Sequence, residues 1–585
     1  MDKDFKNLVL GCQNCKILFV IESEDFNFYE KIKVPPPTFC HDCKTMRRLS
    51  WRNEMSLFKR KCSAPGHDEM IISIYPPEQD LVVYDLKYWW SDAWDPFSFG
   101  VEYDFSKTFF QQWIELYRRF PLQTLSNSKS TNSDYCNVAD ESRDSYMTSG
   151  SWKIERTFYS NRISEIKDSS DLYLAFRSEL CYDSVGCTNS YHLLYSFNCK
   201  SCVDSYFLYD CHGSVNCFGC SNLRNKSYCI WNQQLSKEEY HKRLEEIDLT
   251  SYKTVSELKE KFHNLYLNSI HRFAKQIKVI DSTGDNIEGT KNCKACFDTT
   301  GKLEDSRNVH WALNAKDLYD CGPGVGEAEL MYECFDTGIG NFRNLFTSVV
   351  YSASEVEYAF NCYGVSHLFG CIGLRSKHYC ILNKQYTKEE YQEILPKIKK
   401  HMEEMPYVDK LGRVYKYGEF FPSELSPFSY NETVAQDYFP LDKDTALKFG
   451  YRWKDKKQNE YKITMLAGSL PDNLKDVSES ITKEVIGCAH EGKCQDRCTI
   501  AYKITPEELG LYLRLGVPLP RLCFGCRHEA RLRQRNPLKL WHGQCMCLKE
   551  NHGHSEKCTN EFETPFSPER PETVYCESCY QKEVL

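Results

Sequence analysis

Two C-x-x-C knuckles near the start of the chain, Cys12-Gln13-Asn14-Cys15 and Cys40-His41-Asp42-Cys43, constrain its folding more than any other feature. A C-x-x-C turn aims two thiolates at one point. A second such turn, 24 residues further on, completes a tetrahedron of sulfur around a closed-shell ion. The spacing predicts a tetrathiolate zinc site built from Cys12, Cys15, Cys40 and Cys43.

The same pattern closes the chain. With Cys15 set over Cys498, Cys40 and Cys43 fall on Cys523 and Cys526, Tyr29 on Tyr512, Val34-Pro35 on Val517-Pro518, and Arg52-Asn53 on Arg535-Asn536. One module is used twice, its first knuckle widened at the C-terminal end to Cys494-Gln-Asp-Arg-Cys498, so Cys494, Cys498, Cys523 and Cys526 are the expected second ligand set, and whether Cys488 replaces one of them is left open. A further ribbon follows each copy, because Asn53 and Asn536 are followed at the same distance by Cys62 and Cys545. At the C-terminal end Cys545, Cys547, Cys558, Cys576 and Cys579 offer five thiols for four positions, with His552 and His554 nearby, and four-of-five ligation with one bystander is expected. At the N-terminal end Asp85 and Tyr88 stand where Cys576 and Cys579 would be, and His67 where Cys558 would be. No tetrathiolate is expected there. Packing by Tyr75, Val83, Tyr84, Trp89 and Trp90 should hold that unit, with Cys62, His67 and Asp85 as an alternative metal set. In all, about three zinc ions are expected.

Between the two ends lies a repeat region. VDSYFLYDC (203–211), HGSVNCFGC (212–220) and SNLRNKSYC (221–229) each close on Cys, giving a nine-residue period of short strand plus turn. Stacked parallel coils of a β-solenoid, about 18 residues each, explain this economically; tandem hairpins are the competing arrangement. The block returns 151 residues later, where Cys362, Cys371 and Cys380 match Cys211, Cys220 and Cys229. Helices are expected over 236–248, 254–276 and 387–404, the first and last opened by capping boxes at Ser236/Glu239 and Thr387/Glu390. Another, over 107–119, should bury Phe109, Trp113, Leu116 and Phe120. The ladder cysteines suit the filling of a narrow interior.

The fold class that follows is mostly β with helices, a duplicated solenoid-like region flanked by paired zinc ribbons at both termini. Its divisions are a zinc ribbon (1–58), a degenerate second ribbon with an aromatic helix (59–129), a first repeat block (130–235), a helical segment (236–280) and a second repeat block (281–386). A helix with an aromatic connector (387–486) and two zinc ribbons (487–540 and 541–585) complete it. The 31 cysteines, in metal-ligand spacings and with no leader pattern before them, point to a reducing, cytoplasmic setting. No apolar run approaches a membrane span.

The module Cys12-x2-Cys15-x24-Cys40-x2-Cys43, with Phe28-Tyr29 and a proline-rich approach to the second knuckle, resembles a small bacterial zinc-ribbon (treble-clef-like) domain family. With PPPTFCHDC, LRNKSYCIWNQQ, GEFFPSELSPFSYNETVAQDYFPL and ETVYCESCY, the whole chain is similar to a group of large cysteine-rich zinc-ribbon proteins of candidate-phylum bacteria. The resemblance implies the ribbon fold and zinc, and implies no activity.

Two basic clusters adjoin the ribbons. In them Arg47, Arg48, Arg52, Arg527, Arg531, Arg533 and Arg535 are candidate nucleic-acid contacts, with Trp51, Trp541 and His528 available for stacking. A solvated helix face is the competing reading, and the net charge of −8 argues against a chain that coats nucleic acid globally. No P-loop, nucleophile elbow, H-E-x-x-H or dinucleotide fingerprint occurs. A non-enzymatic zinc-binding scaffold with a protein or nucleic-acid partner is therefore expected. A solenoid enzyme acting on carbohydrate is the alternative, and the oligomeric state is left open.

Overall fold

The computed structural model describes residues 6–455 and 461–584, so the ends of the first and last expected divisions and 456–460 of the expected connector lie outside the described residues. The chain is mostly strand, with 24% helix and 33% strand. Two large sheets dominate, one of ten strands running from Asn127–Ser128 to Gln233–Gln234 and one of twelve from Gln276–Ile277 to Lys384–Gln385.

Within each stack nearly every strand pairs in parallel with the segment that follows it. Tyr191 pairs with Val203, Val203 with Val215, and Val215 with Ser227, so the pairing step is twelve residues. In the second stack the step varies, from eleven at Gln276 with Ile287 to thirteen at Glu329 with Phe342, and settles at twelve from Phe342 with Ser354 onward. Tandem hairpins would pair antiparallel, and among the described strands of the stacks only the terminal hairpins do so, Cys229 with Gln234 and Cys380 with Gln385.

The expected nine-residue step is therefore corrected to twelve, and the reason is visible inside the stack. Thiols reach across one diagonal: the Cys202 thiol donates to the Cys211 carbonyl at 3.2 Å, Cys211 to Cys220 at 3.7 Å, and Cys220 to Cys229 at 3.6 Å. Nine residues is the spacing of that diagonal. Serines follow the full step, as where the Ser196 hydroxyl donates to Leu194 O at 2.9 Å and accepts from Leu208 N at 3.0 Å. Cys202, Cys211, Cys220 and Cys229 are at most 2% exposed and pack with Leu172, Leu193 and Leu208.

The backbone turns at every third residue. Asn189, His192, Tyr195, Asn198, Ser201, Asp204, Phe207 and Asp210 all have φ between 45° and 57°. Asn and Asp tolerate this left-handed region better than most residues, which accounts for their density in the block.

Each stack ends under a helix, Lys237–Glu245 and Lys388–Glu404, whose Tyr240 and Tyr391 are buried against the last strands and cover the edge. Thr387 and Glu390 form the full capping box, whereas at Ser236 only the hydroxyl half forms, accepting from Glu239 N. The helix expected over 254–276 is Tyr252–Asn268 and stops early, because Ile270–Arg272 leaves as a strand that pairs in parallel with Thr573–Tyr575 of the last ribbon. Helix Phe109–Arg119 buries Phe109, Trp113 and Leu116, with Phe120 beyond its end, as its spacing predicts. The segment 417–430 packs by its aromatics: Phe420, Phe421, Phe428 and Tyr430 are each at most 4% exposed.

Candidate metal centres

The four ribbon units share one construction. A strand delivers the first cysteine, and that sulfur accepts the backbone N–H of the residue that opens the following helix. Cys12 accepts from Cys40 N at 3.3 Å, Cys488 from Cys523 N at 3.3 Å, Cys545 from Cys576 N at 3.2 Å, and Cys62 from Asp85 N at 3.3 Å. A helix N-terminus and a free N–H both favour thiolate over thiol.

Three quartets converge: Cys12, Cys15, Cys40 and Cys43; Cys488, Cys498, Cys523 and Cys526; and Cys545, Cys558, Cys576 and Cys579, the sulfurs of each lying within 4.8 Å of one another. Sulfurs about 2.3 Å from one ion in a tetrahedron stand about 3.8 Å apart. The distances fit, at 3.7 Å for Cys15–Cys40 and 3.9 Å for Cys488–Cys526, Cys498–Cys523 and Cys558–Cys576. All 31 cysteines are free of disulfides. These groups could hold metal ions, and soft tetrathiolate geometry suits zinc.

The expected second ligand set differs from the quartet the structure brings together. Cys488 occupies the place of Cys12, while Cys494, 3.7 Å from Cys526, joins His490 and Asp496 in a neighbouring group. A sequence signal for Cys488 exists in Val485-Ile486-Gly487-Cys488, which repeats Val9-Leu10-Gly11-Cys12. In the last unit Cys547 stands outside the quartet, in a group with His552, His554 and Cys579.

In the degenerate unit Cys62 lies 3.6 Å from Asp85 Oδ2 and 3.9 Å from His67 Nδ1, and His67 is 3.1 Å from Asp85. Asp85 also caps helix Leu86–Trp90 by accepting from Tyr88 N at 2.9 Å. Tyr75, Val83, Tyr84 and Trp89 are buried as expected, but Trp90 is 40% exposed, its ring edge-on to Tyr363 at 4.8 Å.

The arginines beyond the knuckles turn inward. On helix His41–Leu49, Arg47 pairs with Glu333 at 2.7 Å and Glu419 at 2.9 Å, Arg48 approaches Glu333 at 3.7 Å, and Lys44 binds Asp320. Arg52 meets Glu54 at 2.5 Å and Asp336 at 3.3 Å. On helix Phe524–Leu532, Arg527 and Arg531 share Asp171 at 2.9 and 2.6 Å. Arg535 donates to Asp437 O and lies over the Tyr438 ring at 3.8 Å. Arg533, 59% exposed and paired with Asp496 at 2.8 Å, is the one of the seven that faces solvent. Six of the seven arginines are thus drawn into clamps, with carboxylates supplied by the strand stacks (Asp171, Glu333 and Asp336) and by other segments (Glu54 and Glu419). Burial pushes the Glu54 carboxyl up, but Arg162 and Arg52 outweigh it and hold it at about 2.

The first knuckle also grips the connector. The Gln13 side-chain amide donates to Val414 O at 3.0 Å and accepts from Val414 N at 2.7 Å, while Asn14 accepts from Arg413 at 2.7 Å and donates to the Cys43 sulfur at 3.3 Å. Among the described residues no helix is long and apolar enough to cross a membrane. The chain matches no protein-family model and no curated protein.

Proposed function

We propose that the protein is a non-enzymatic, zinc-stabilised scaffold of β-solenoid type, in which metal-bound ribbons lock two strand stacks together and leave the outer stack faces for a protein partner. The observation that carries this reading is the inward use of the ribbon helices: their cations are consumed by Asp171, Asp320, Glu333 and Asp336 of the stacks. Closed all-sulfur sites fit a structural role, since a catalytic zinc keeps one position open. The free thiols throughout favour a reducing, cytoplasmic compartment. With Arg533 the one exposed residue of the seven, a protein partner is favoured over nucleic acid.

Metal analysis of the purified chain tests this. Cys15→Ser, Cys498→Ser and Cys558→Ser should each release one zinc and lower the unfolding temperature, and salt-dependent retention of RNA or DNA should be absent. A metal content unaffected by all three variants would remove the reading.

One observation favours an enzyme acting on carbohydrate: a cavity of about 110 Å³ between the stacks is lined by Asp210, Asp285 and Asp298. Each carboxylate is engaged, Asp210 with Arg224 at 3.1 Å, Asp285 with Asn536 at 2.9 Å, and Asp298 with Asn286 at 2.7 Å. Release of reducing sugar from a polysaccharide panel, lost in Asp298→Asn, would favour the enzyme.

A further inference from the structure

We infer that the last ribbon holds two zinc ions bridged by the Cys579 thiolate, an inference that rests on the metal-binding reading above. Two tetrahedra that share one corner need seven ligands. The unit supplies seven: Cys545, Cys558 and Cys576 on one side, Cys547, His552 and His554 on the other, and Cys579 common to both groups.

The histidines carry the argument further than the count does. His552 is 5% exposed, with Nδ1 3.2 Å from the Cys547 sulfur and Nε2 2.9 Å from Glu583 Oε1. His554 is turned the other way round, with Nε2 3.4 Å from the Cys579 sulfur and Nδ1 2.6 Å from Glu556 O. In each ring one nitrogen faces the thiols and the other donates to an oxygen acceptor. Such an acceptor fixes the tautomer, so the nitrogen facing the thiols carries a lone pair, which is the arrangement metal-ligating histidines adopt. Cys547 is prepared too, its sulfur accepting Lys549 N at 3.5 Å. A bystander cysteine would need none of this.

The preceding ribbon offers a contrast. There His490, Cys494 and Asp496 gather around Cys526, but the Asp496 carboxylate is held by Arg533 at 2.8 and 3.4 Å. A carboxylate already bound to a guanidinium is a poor zinc ligand, so one ion is assigned to that ribbon and two to the last. Binding of the second ion displaces the Cys547 thiol proton to solvent and leaves the two imidazoles neutral.

The full-length chain, purified without chelator, should carry four zinc ions by native mass spectrometry and metal analysis. His554→Gln, at a partly exposed position, and His552→Gln should each carry three. X-ray absorption at the zinc edge of the unaltered protein, which requires no variant to fold, should show a zinc–zinc shell at about 3.5–4 Å. Three ions in the unaltered chain and in both variants, or the absence of that shell, overturns the bridged pair while leaving the tetrathiolate reading standing. Fewer than three ions, unchanged by Cys558→Ser, overturns both.

Discussion

The two ribbon–stack junctions are copies of one another, assembled in crossed order: the N-terminal ribbon docks on the second stack and the C-terminal ribbon on the first. Tyr29 packs edge-on to Tyr319 and Tyr332, and its counterpart Tyr512 packs edge-on to Tyr182. Lys44 and Arg48 reach Asp320 and Glu333, and their counterparts Arg527 and Arg531 reach Asp171. The difference lies in how charge is balanced. The N-terminal junction spreads its cations over Asp320, Glu333, Asp336 and Glu419, whereas the C-terminal one concentrates two arginines on Asp171. The second ribbons diverge further. Without the two thiols replaced by Asp85 and Tyr88, the N-terminal one is held by an aromatic core, with the Phe120 ring so close to Gly373 (φ 65°) that a Cβ there would stand 2.3 Å from it. The C-terminal one is held by thiols and imidazoles. A convergent thiol–imidazole cluster that could hold metal and an aromatic core thus occupy the same place in two copies of one small fold.

Metal removal should break the comparison most sharply. Zinc in small ribbons contributes about 10–16 kcal/mol of apparent folding free energy, so a chelator under reducing conditions should expose residues 487–584 to protease long before 59–129. Within the same experiment Cys488→Ser should lose an ion and Cys494→Ser should not.

Next in size is the C-terminal clamp. Asp171→Ala strands Arg527 and Arg531 in a buried site and should cost about 3–5 kcal/mol, read by denaturant unfolding. Asp336→Ala should cost less, because Arg52 keeps Glu54.

Acid should act through Glu54. Its folded value of about 2 lies below the ordinary carboxylate range, so its stabilisation is complete above pH ~5 and is lost as pH falls toward 2. Glu54→Gln should flatten that part of a melting-temperature profile; an unchanged slope would show that the Arg52–Glu54–Arg162 contact contributes little.

The smallest effect belongs to the stacks. Cys211→Ala should cost about 1 kcal/mol, as deletion of one buried heavy atom does, and the matching Cys362→Ala about the same. A clear inequality would show that the two interiors are packed differently.

The local features were the ones legible in the sequence. Each C-x-x-C turn, the capping box at Thr387 and the buried face Phe109/Trp113/Leu116 declare themselves because their partners lie a few residues apart. Between Cys494 and Cys488 the spacing left the choice open and favoured the nearer Cys494, although the strand-then-cysteine signal pointed to Cys488. The twelve-residue step was hidden behind the nine-residue diagonal of its thiols, since identical residues mark a hydrogen-bond path more plainly than a backbone register.

By itself, then, the sequence determined the thiolate knuckles and the β character of the repeats, which rest on short-range spacing and composition, and the duplication, which rests on one pattern of residues recurring far along the chain. Tertiary structure alone decided that the arginines are clamps, that each ribbon serves the distant stack, and that His552 and His554 face Cys547 and Cys579. These depend on contacts hundreds of residues apart, or on which way a ring is turned. A cation whose carboxylate partner lies on a remote strand reads, one-dimensionally, like a cation in water.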